Sequence, residues 1–371
     1  MLLPKPDVTG LTFYRGRVAM YALLKALGVG PGDEVALQAF TCLAVPEGVM
    51  ALGAKPLYVD IEPDGFNMAA EDLERKLTES TRAIVVQHTF GVPARMDRLL
   101  AVARAHGLPL IEDCCHTLET RYCGQRVGSF GAGAFYSFEW GKPIVTGIGG
   151  AAVVNDPAVR ERVRRDYGTY LEPDSRSQLR LHAQYLAHRV LYRPVLFWPV
   201  RSLYHWLGSL GAAEGNYNPV SKGSVAKDFS LRMAAPMRHR LVKKLARLDR
   251  ATAHAREVTQ RYWDGIRNPA IRPPQLEADN EVAFARYPLR VANKAAVLTA
   301  ARKANVELAE WYATPVHPLS PEDWPLVHYR AGSCPQVEER CGEIVTLPTH
   351  PAVTGTDVER AVRFLQSIAE H

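Results

Sequence analysis

Short apolar runs alternate with stretches of amphipathic helical periodicity between Pro31 and Asp156. One of these helical patterns covers Met96–His106. The apolar runs have the length and composition of buried strands, which we predict at Glu34–Gln38, Pro56–Asp60, Ala83–His88, Leu108–Asp113, Gly133–Phe138 and Gly150–Asn155. Strands that alternate with helices indicate an α/β fold with a largely parallel sheet covered on both faces. In such a sheet the functional site lies at the carboxyl ends of the strands.

The second half of the chain has a different pattern. Residues 181–212 are rich in aromatic side chains and arginine and contain no acidic residue, and we expect Pro194 and Pro199 to break them into short helices. A loop and one long helix, Leu231–Tyr262, should follow. The tail reads as a second α/β unit, with strands at Arg286–Val291 and Glu343–Pro348 and helices from Lys294 and Thr356. We therefore predict a large domain over 1–248, with a helical excursion at 181–212 and a loop at 213–228, and a small C-terminal domain over 249–371.

Composition narrows the class of protein. The chain has 371 residues, of which 47% are hydrophobic and 23% charged, so a disordered or low-complexity chain is excluded. The net charge of +6 is spread along the sequence, which argues against nucleic-acid binding. The 6 cysteines have no zinc-type spacing, so we expect reduced thiols and no metal site. The absence of an apolar signal core or membrane-spanning run favours a cytoplasmic protein.

Two residues stand out as candidates for chemistry. Asp113 ends an apolar strand, where a carboxylate would face a ligand, although an N-cap of a following helix is an alternative. Lys142 lies between a predicted strand and the Gly-rich turn 146–150. A lysine in a buried turn is able to form a Schiff base with a carbonyl cofactor, whereas most lysines are solvated surface residues.

Two glycine-rich elements lie near the N-terminus. The segment 14–20 opens a helical run, and helix N-termini bind phosphate groups. The segment Gly28–Gly32 has no strand before it and contains a proline, so it predicts a helix stop rather than a dinucleotide site. A phosphate-binding helix start, a strand-end Asp113 and then Lys142 follow each other in the order found in fold-type I enzymes that use pyridoxal 5'-phosphate (PLP).

The chain resembles the DegT/DnrJ/StrS-type aminotransferases over nearly its whole length. The matching blocks include Gly30–Val35, Gly53–Pro56, Gly91–Asp97, Ile111–Asp113, Ser137–Phe138, Gly149–Gly150, Arg232–Met233, Thr314–His317 and Leu347–Pro348. This resemblance implies an α/β/α large domain with a mostly parallel seven-stranded sheet and a small α/β domain. It also implies a PLP-dependent aminotransferase that moves an amino group from an amino acid, typically glutamate, to a keto sugar or related acceptor. Family members are homodimers with active sites at the subunit interface.

The resemblance also implies roles for individual residues. Lys142 matches the Schiff-base lysine and Asp113 the partner of the pyridine nitrogen. The remaining matches to cofactor-binding positions are Gly16, Arg17 and Val18 at the phosphate-binding helix start, Cys115 beneath the ring, His116 near the ring hydroxyl, and Ser137 at the phosphate. His88 and His317 match histidines near the substrate pocket, and a structural role is the alternative for both.

Three positions depart from the family pattern. Arg17 replaces the usual threonine and adds a charge suited to phosphate. Cys42 occupies the position of an aromatic residue that stacks on the ring. Ser230 replaces an asparagine that the neighbouring subunit usually donates to the phosphate. These departures suggest an acceptor other than a standard nucleotide sugar.

The excursion at residues 181–212 leaves the function partly open. Its composition is typical of a segment that lies on a membrane surface, which would suit a lipid-linked or otherwise apolar keto substrate. Alternatively it packs on its own domain or on the dimer partner. A PLP-fold binding protein without turnover is a further alternative, which the presence of both Lys142 and Asp113 disfavours.

Overall fold

The alternating pattern of the first half of the chain forms one twisted sheet in the computed structural model, which describes residues 10–117, 119–209 and 227–368. The strands of the described chain are β1 Thr12–Phe13, β2 Glu34–Gln38, β3 Thr41–Cys42, β4 Lys55–Val59, β5 Thr81–Gln87, β6 Leu110–Asp113, β7 Arg121–Tyr122, β8 Gln125–Arg126, β9 Gly133–Ser137, β10 Gly150–Val154, β11 Ile271–Arg272, β12 Arg286–Val291, β13 Val316–His317 and β14 Ile344–Pro348. All the strands predicted from the sequence are confirmed, with ends shifted by a few residues.

The helices occupy the connections between these strands. They are α1 Gly16–Ala26, α2 Ala44–Met50, α3 Ala70–Lys76, α4 Met96–Ala105, α5 Pro157–Tyr167, α6 Ser175–Leu191, α7 Phe197–Ser209, α8 Ala235–Leu245, α9 Leu248–Gly265, α10 Lys294–Lys303, α11 Pro335–Cys341 and α12 Gly355–Gln366. Short 3-10 helices lie at Thr89–Gly91, Pro194–Leu196, Lys227–Ser230 and Pro321–Val327. No helix among the described residues combines the length and apolarity that crossing a membrane requires.

Within the described residues, seven strands form the main sheet, in the order β1-β10-β9-β6-β5-β2-β4. Strands β4, β2, β5, β6 and β9 are parallel to one another. Strand β10 pairs antiparallel with β9, and β1 pairs antiparallel with β10. The predicted α/β class with a mostly parallel seven-stranded sheet is therefore confirmed.

Alternate side chains of each strand enter two different apolar cores. Val35 and Leu37 of β2 cluster with Leu23 of α1. Ala36, between them, clusters with Leu73 of α3, and the helices α4 and α8 share that second core. Because successive strand residues point to opposite faces, this partition produces the three layers of an α/β/α sandwich.

A second sheet of three antiparallel strands, β11-β12-β14, lies in the C-terminal part of the described chain. Side chains from α9, α10 and α12 complete its core, including Tyr262, whose hydroxyl donates a 3.1 Å hydrogen bond to the carbonyl of Pro348. The predicted division between residues 248 and 249 coincides with the start of α9, and the domain boundary stays a prediction.

The C-terminal part also contributes one strand to the large domain. In the register of the parallel pair β13–β3, Val316 lies opposite Thr41 and His317 opposite Cys42. This pairing brings the segment before β13 next to the carboxyl edge of the main sheet.

Two predictions about helices are wrong. The single helix predicted over 231–262 is two helices, α8 and α9, separated by a turn at Ala246 and Arg247. The chain has to turn here because the two helices pack in different cores. Met237 and Leu241 of α8 lie in the core that contains Leu73 of α3, whereas Tyr262 of α9 lies in the core that contains Leu23 of α1.

The second error concerns the excursion. Its first helix begins at Ser175, before the predicted start, and Pro194 separates α6 from α7 as predicted. Pro199 does not break the chain, because it lies in the first turn of α7, where a proline removes no helical hydrogen bond. The predicted loop over 213–228 lies mostly outside the described residues, which resume at residue 227.

Candidate active site

A cavity at the carboxyl edge of the main sheet collects most of the residues predicted from the sequence. Its walls come from the ends of β5, β6 and β9, from the start of α1 and from β3. The predicted residues that line it are Gly16, Arg17, Cys42, Asp113, Cys115, His116, Ser137 and Lys142. We call it the Lys142 cavity.

Asp113 is the last residue of β6 and is buried. Its Oδ1 accepts a 2.9 Å hydrogen bond from the backbone N–H of Cys115. Burial raises the pKa of this carboxyl, while the contacts with Cys115 and the charge of Lys142 oppose the rise. Residues 115 and 116 form a turn and no helix of the described chain follows directly, so Asp113 does not cap a helix there. A strand-end carboxylate that faces a cavity is placed to bind a cationic or proton-bearing group.

Lys142 lies in the turn after β9 and is only partly exposed. Its Nζ lies 5.3 Å from the ring centroid of Trp311, in a cation–π arrangement. Together with burial, the charge of Lys142 lowers the pKa of His116 well below its ordinary value. The charged amine of Lys142 therefore interacts with the side chains that line the cavity, whereas the charge of a fully solvated surface lysine would be screened by water.

The neutral His116 ring is held between aromatic side chains. It is nearly parallel to the rings of Phe90, at 6.2 Å, and Trp311, at 5.5 Å. Its Nδ1 accepts a 3.1 Å hydrogen bond from the backbone N–H of Phe90, so the ring proton resides on Nε2, which lies 3.4 Å from the hydroxyl of Tyr312. This arrangement offers a flat wall of fixed orientation to a planar ligand.

The first residue of α1 is Gly16, which packs closely on the end of β9. A Cβ atom at this position would lie 3.0 Å from Cβ of Ser137 and 3.3 Å from the backbone oxygen of Tyr136. The first N–H groups of a helix have no acceptor inside the helix, and the helix dipole favours an anion there. The close approach therefore presents these N–H groups next to the Ser137 hydroxyl, as a phosphate site requires.

Buried charges surround this helix start. Nη2 of Arg17 lies 2.6 Å from Oδ2 of Asp228, and its Nη1 lies 3.1 Å from Glu47. Arg15 pairs with the same Asp228 and with Glu139, both at 3.1 Å. Two guanidinium groups thus face three carboxylates, and burial raises the pKa of Glu47 to about 7. The guanidinium of Arg17 is largely occupied by carboxylates of its own chain.

Some atoms of this network lack a hydrogen-bond partner among the described residues. Nη1 of Arg17 and Oε2 of Glu47 at least form an ion pair with each other, whereas Nε of Arg17 is buried without an acceptor in the described part of the chain. Arg17 lines the Lys142 cavity, so an anion there would supply the missing acceptor. The residues present therefore fit a phosphorylated ring compound with a carbonyl group: Lys142 and Asp113 for the ring, and the start of α1 with Ser137 and Arg17 for the phosphate.

Four predicted residues do not line this cavity. Val18 is fully buried in the apolar core behind the helix start. Ser230 is exposed and borders a separate cavity with Asp228. His317 accepts a hydrogen bond from the backbone N–H of Ala313, and burial lowers its pKa to about 4.

His88 is the fourth, and its two ring nitrogens are both satisfied. Nδ1 accepts a 3.1 Å hydrogen bond from the N–H of Ala94, and Nε2 donates to Glu112 at 3.1 Å. Cys114 offers a sulfur within 4.8 Å of these ligand atoms. However, Glu112 also accepts from the backbone N–H of Gly128 at 2.7 Å, so the group braces the chain behind the sheet.

Several lining residues were not predicted from the sequence. They are Met20, Ala44, Val45, Gln87, Phe135, Glu139, Trp140, Trp311 and Tyr312. Gln87 ends β5 as Asp113 ends β6, so the strand-end argument would have found it. Trp311 and Tyr312 carry no local signal, because the pairing of β13 with β3 brings them to the site.

A larger cavity of about 890 Å³ adjoins the first, and Lys142 lines both. We call it the basic chamber. Besides Lys142, its basic residues are Arg189, Arg240, Lys243, Lys244, Arg247, Arg250 and Arg286, and Glu119 is the acidic residue among the described lining residues. Arg240 lies 4.1 Å above the ring of Tyr185, and burial lowers the pKa of His188 to about 4. The chamber is suited to an anionic molecule whose reacting end reaches Lys142.

Comparison with known proteins identifies the family of the chain. Residues 8–194 and 207–366 match the model of the DegT/DnrJ/EryC1/StrS aminotransferase family. The chain is 30% identical over 363 residues to the erythromycin biosynthesis sensory transduction protein EryC1 of Saccharopolyspora erythraea, covering 96% of this chain and 85% of that protein. It is 28% identical over 337 residues to the UDP-2-acetamido-2-deoxy-3-oxo-D-glucuronate aminotransferase of Pseudomonas aeruginosa, covering 91% and 79%.

A solved structure is similar over the same length. DesV of S. venezuelae, determined in complex with a ketimine intermediate, superposes with a TM-score of 0.74 and 25% identity, covering 96% of this chain and 83% of that one. The resemblance that the sequence blocks indicate is confirmed, and the chain belongs to the DegT/DnrJ/EryC1/StrS aminotransferase family.

Proposed function

We propose that this aminotransferase uses PLP to move an amino group from an amino acid, glutamate in the first instance, to a keto sugar or a related keto acceptor. The observation that carries the proposal is that Lys142 and Asp113 line one cavity at the carboxyl edge of the sheet, beside the start of α1. Bound PLP would supply an electron sink for the electrons released at the donor's α-carbon.

The residues that line the cavity would bind the cofactor and transfer the proton. Lys142 would hold the cofactor, and its freed Nζ would then carry the proton of the donor's α-carbon. The buried carboxylate of Asp113 would hold a proton on the ring nitrogen. His116 and Trp311 would orient the ring, and the N–H groups at the start of α1 would bind the phosphate together with Ser137.

The basic chamber supports an anionic acceptor. Arg189, Lys243 and Lys244 line it, and Lys142 connects it to the cavity where the chemistry would take place. The diphosphate of a sugar nucleotide would match these charges. Arg17, Cys42 and Ser230 depart from the family pattern and favour a different acceptor, but the relatives named for UDP- and GDP-linked sugars make nucleotide sugars the first class to test.

The assembly and location are part of the proposal. Ser230 does not line the Lys142 cavity of its own chain, in keeping with a homodimer in which it faces the partner's site. The 6 cysteines are all free thiols, which fits the reducing cytoplasm.

A second acceptor class is favoured by one observation. Leu186 of α6 lines the basic chamber and is nevertheless 48% exposed, so an apolar surface borders the chamber entrance. In a keto sugar linked to a lipid diphosphate, the diphosphate would bind the basic residues of the chamber and the lipid would contact the apolar surface at its entrance.

The test is the visible absorption of the purified protein with PLP, before and after glutamate is added. An enzyme absorbs as an imine and shifts towards the aminated cofactor, and a keto acceptor reverses the shift. Lys142→Ala should abolish the turnover, whereas exposed Lys25→Ala should keep it. An active Lys142→Ala protein would refute the assignment, and a wild-type protein that binds PLP without any shift across a panel of amino acids would be a binding protein instead.

A further inference from the structure

Helices α6 and α7 present apolar side chains to the outside of the protein. On α6, Leu179, Leu186 and Val190 are 71%, 48% and 67% exposed. Their spacing of seven and four residues, with Ala183 between, places them on one face of the helix. Three aligned large apolar side chains form a stripe, which differs from the isolated apolar residues of an ordinary surface.

Helix α7 continues this surface beyond the break at Pro194. Leu203 and Trp206 are 46% and 59% exposed and are three residues apart, so they lie on one side of the helix. Leu196, at the end of the 3-10 helix before α7, is 37% exposed. Together with the α6 stripe, Leu196, Leu203 and Trp206 form what we call the α6–α7 surface.

The opposite side of α7 is firmly attached to the C-terminal part of the chain. The indole N–H of Trp198 donates a 2.9 Å hydrogen bond to the carbonyl of Val306, and Arg201 pairs with Glu310. The side chain of Asn305 donates to the carbonyl of Val195 at 3.0 Å. The fold thus fixes the position of α7 while leaving its apolar side exposed.

The segment that contains α6 and α7 carries positive charges and no negative ones. Between Ser175 and Ser209 there is no aspartate or glutamate. Arginine occurs in the same stretch at positions 176, 180, 189, 193 and 201. Arg201 is paired with Glu310 and Arg189 lines the basic chamber, but the exposed Arg176 and Arg193 lie three residues before Leu179 and three residues after Val190. Positive charge therefore lies at both ends of the α6 stripe.

This charge pattern favours a lipid membrane over a second copy of the chain as the binding partner of the surface. In a symmetric contact with a second copy, the same basic segments would face each other, which like-charge repulsion opposes. An anionic lipid surface instead attracts the arginines, accepts the apolar side chains below its headgroups, and accommodates tryptophan at the interface. Residues 195–206, which contain much of α7, also lie outside the match to the family.

We propose that the α6–α7 surface docks the protein on a membrane that contains anionic phospholipid. The exposed Arg176 and Arg193 contact the headgroups, and Leu179, Val190 and Leu203 enter the interfacial layer. This property is separate from amino transfer, because none of these three side chains lines the Lys142 cavity.

The test is co-sedimentation of the full-length protein with vesicles of phosphatidylglycerol and phosphatidylcholine. We expect binding that high salt weakens and that vesicles of phosphatidylcholine alone do not support. The triple variant Leu179→Ser/Val190→Ser/Leu203→Ser should bind at least about tenfold more weakly, because less apolar surface is buried. The matched control Val242→Ser/Trp263→Ser/Leu276→Ser changes residues that are 55%, 44% and 41% exposed elsewhere and should bind like the wild type.

A second measurement follows tryptophan fluorescence in the wild type and in the conservative variant Trp206→Phe. Brominated lipid in the anionic vesicles should quench the fluorescence of Trp206, so the quenched fraction should be smaller in the variant. The glutamate-induced absorbance change provides a separate readout, and it should be equal in the wild type and the triple variant. No sedimentation with anionic vesicles would overturn the proposal. So would a triple variant that binds vesicles normally but changes from dimer to monomer in light scattering, because the surface would then be a contact between copies.

Discussion

Nη2 of Arg17 lies 2.6 Å from Oδ2 of Asp228, a residue 211 positions further along the chain. Both side chains are buried, at 1% and 10% exposure, and Arg15 contacts the same carboxylate. Arg17 therefore has a counter-charge within its own chain. This pairing lets a cation lie next to the proposed phosphate site without leaving an uncompensated charge in the empty protein.

Removal of the shared carboxylate should destabilise the fold strongly. In Asp228→Ala, Arg15 and Arg17 would lose their common partner inside the protein, and we expect a loss of about 3–5 kcal/mol in the free energy of unfolding. Urea denaturation of the protein without PLP measures the change. Asp166→Ala is the control, because its pair with Lys25 is exposed and should cost less than about 1 kcal/mol. Equal losses in the two variants would contradict the role assigned to the buried network.

The same network should make stability depend on pH through Glu47. Burial raises the pKa of Glu47 from 4.5 to about 7 in the folded protein. Between these values the folded state keeps a proton that the unfolded chain has released, so the Glu47 contribution to the free energy of unfolding falls as the pH rises. Above about pH 7 that contribution is constant at its lowest level.

Glu47→Gln should remove this dependence. The free energy of unfolding of the variant minus that of the wild type should increase from pH 4.5 to pH 7 and then level off. Denaturation curves across this range test the expectation, with Glu71→Gln at an exposed position as the control. A difference that stays flat, or that decreases with pH, would show that Glu47 titrates normally.

The main sheet and the location of the site were predictable because both depend on local signals. Strand β6 is an apolar run that ends in Asp113, and the ends of parallel strands share one edge of the sheet. Lys142 follows the neighbouring strand β9, so the two side chains lie at the same edge by topology alone. The Gly-rich start of α1 was likewise readable as a helix N-terminus.

Long-range contacts explain what the sequence did not reveal. Trp311 reaches the cavity because β13 pairs with β3, across more than half of the chain. Asp228 follows the excursion at residues 181–212, and it pairs with Arg17 only because the fold brings these two distant parts of the chain together. The turn between α8 and α9 contains neither glycine nor proline, and only the positions of the two cores require it.

The close packing of Gly16 on β9 should be sensitive to one methyl group. In Gly16→Ala the new Cβ would lie 3.0 Å from Ser137 and 3.3 Å from a backbone oxygen, so α1 must move away from the strand. We expect a loss of about 1–3 kcal/mol in stability and weaker PLP binding, measured by absorbance titration. Gly30→Ala is the control, since nothing lies within 4 Å of its Cβ. Unchanged PLP affinity in Gly16→Ala would argue against a phosphate site at this helix start.

Trp311 should affect the amino transfer without any chemistry of its own. Its ring stacks on His116 at 5.5 Å and lies 5.3 Å from Nζ of Lys142, so it fixes one wall of the cavity and holds the lysine near it. Loss of a cation–π contact of about 0.5–2 kcal/mol corresponds to a rate change of about 2–30-fold, and we expect Trp311→Ala to slow the half-reaction with glutamate by that factor. Trp311→Phe keeps an aromatic ring and should retain most of the rate. Stopped-flow absorbance measures the step, and Trp263→Ala, at a tryptophan that is 44% exposed, is the control. A wild-type rate in Trp311→Ala would mean that the wall formed by this residue does not position Lys142.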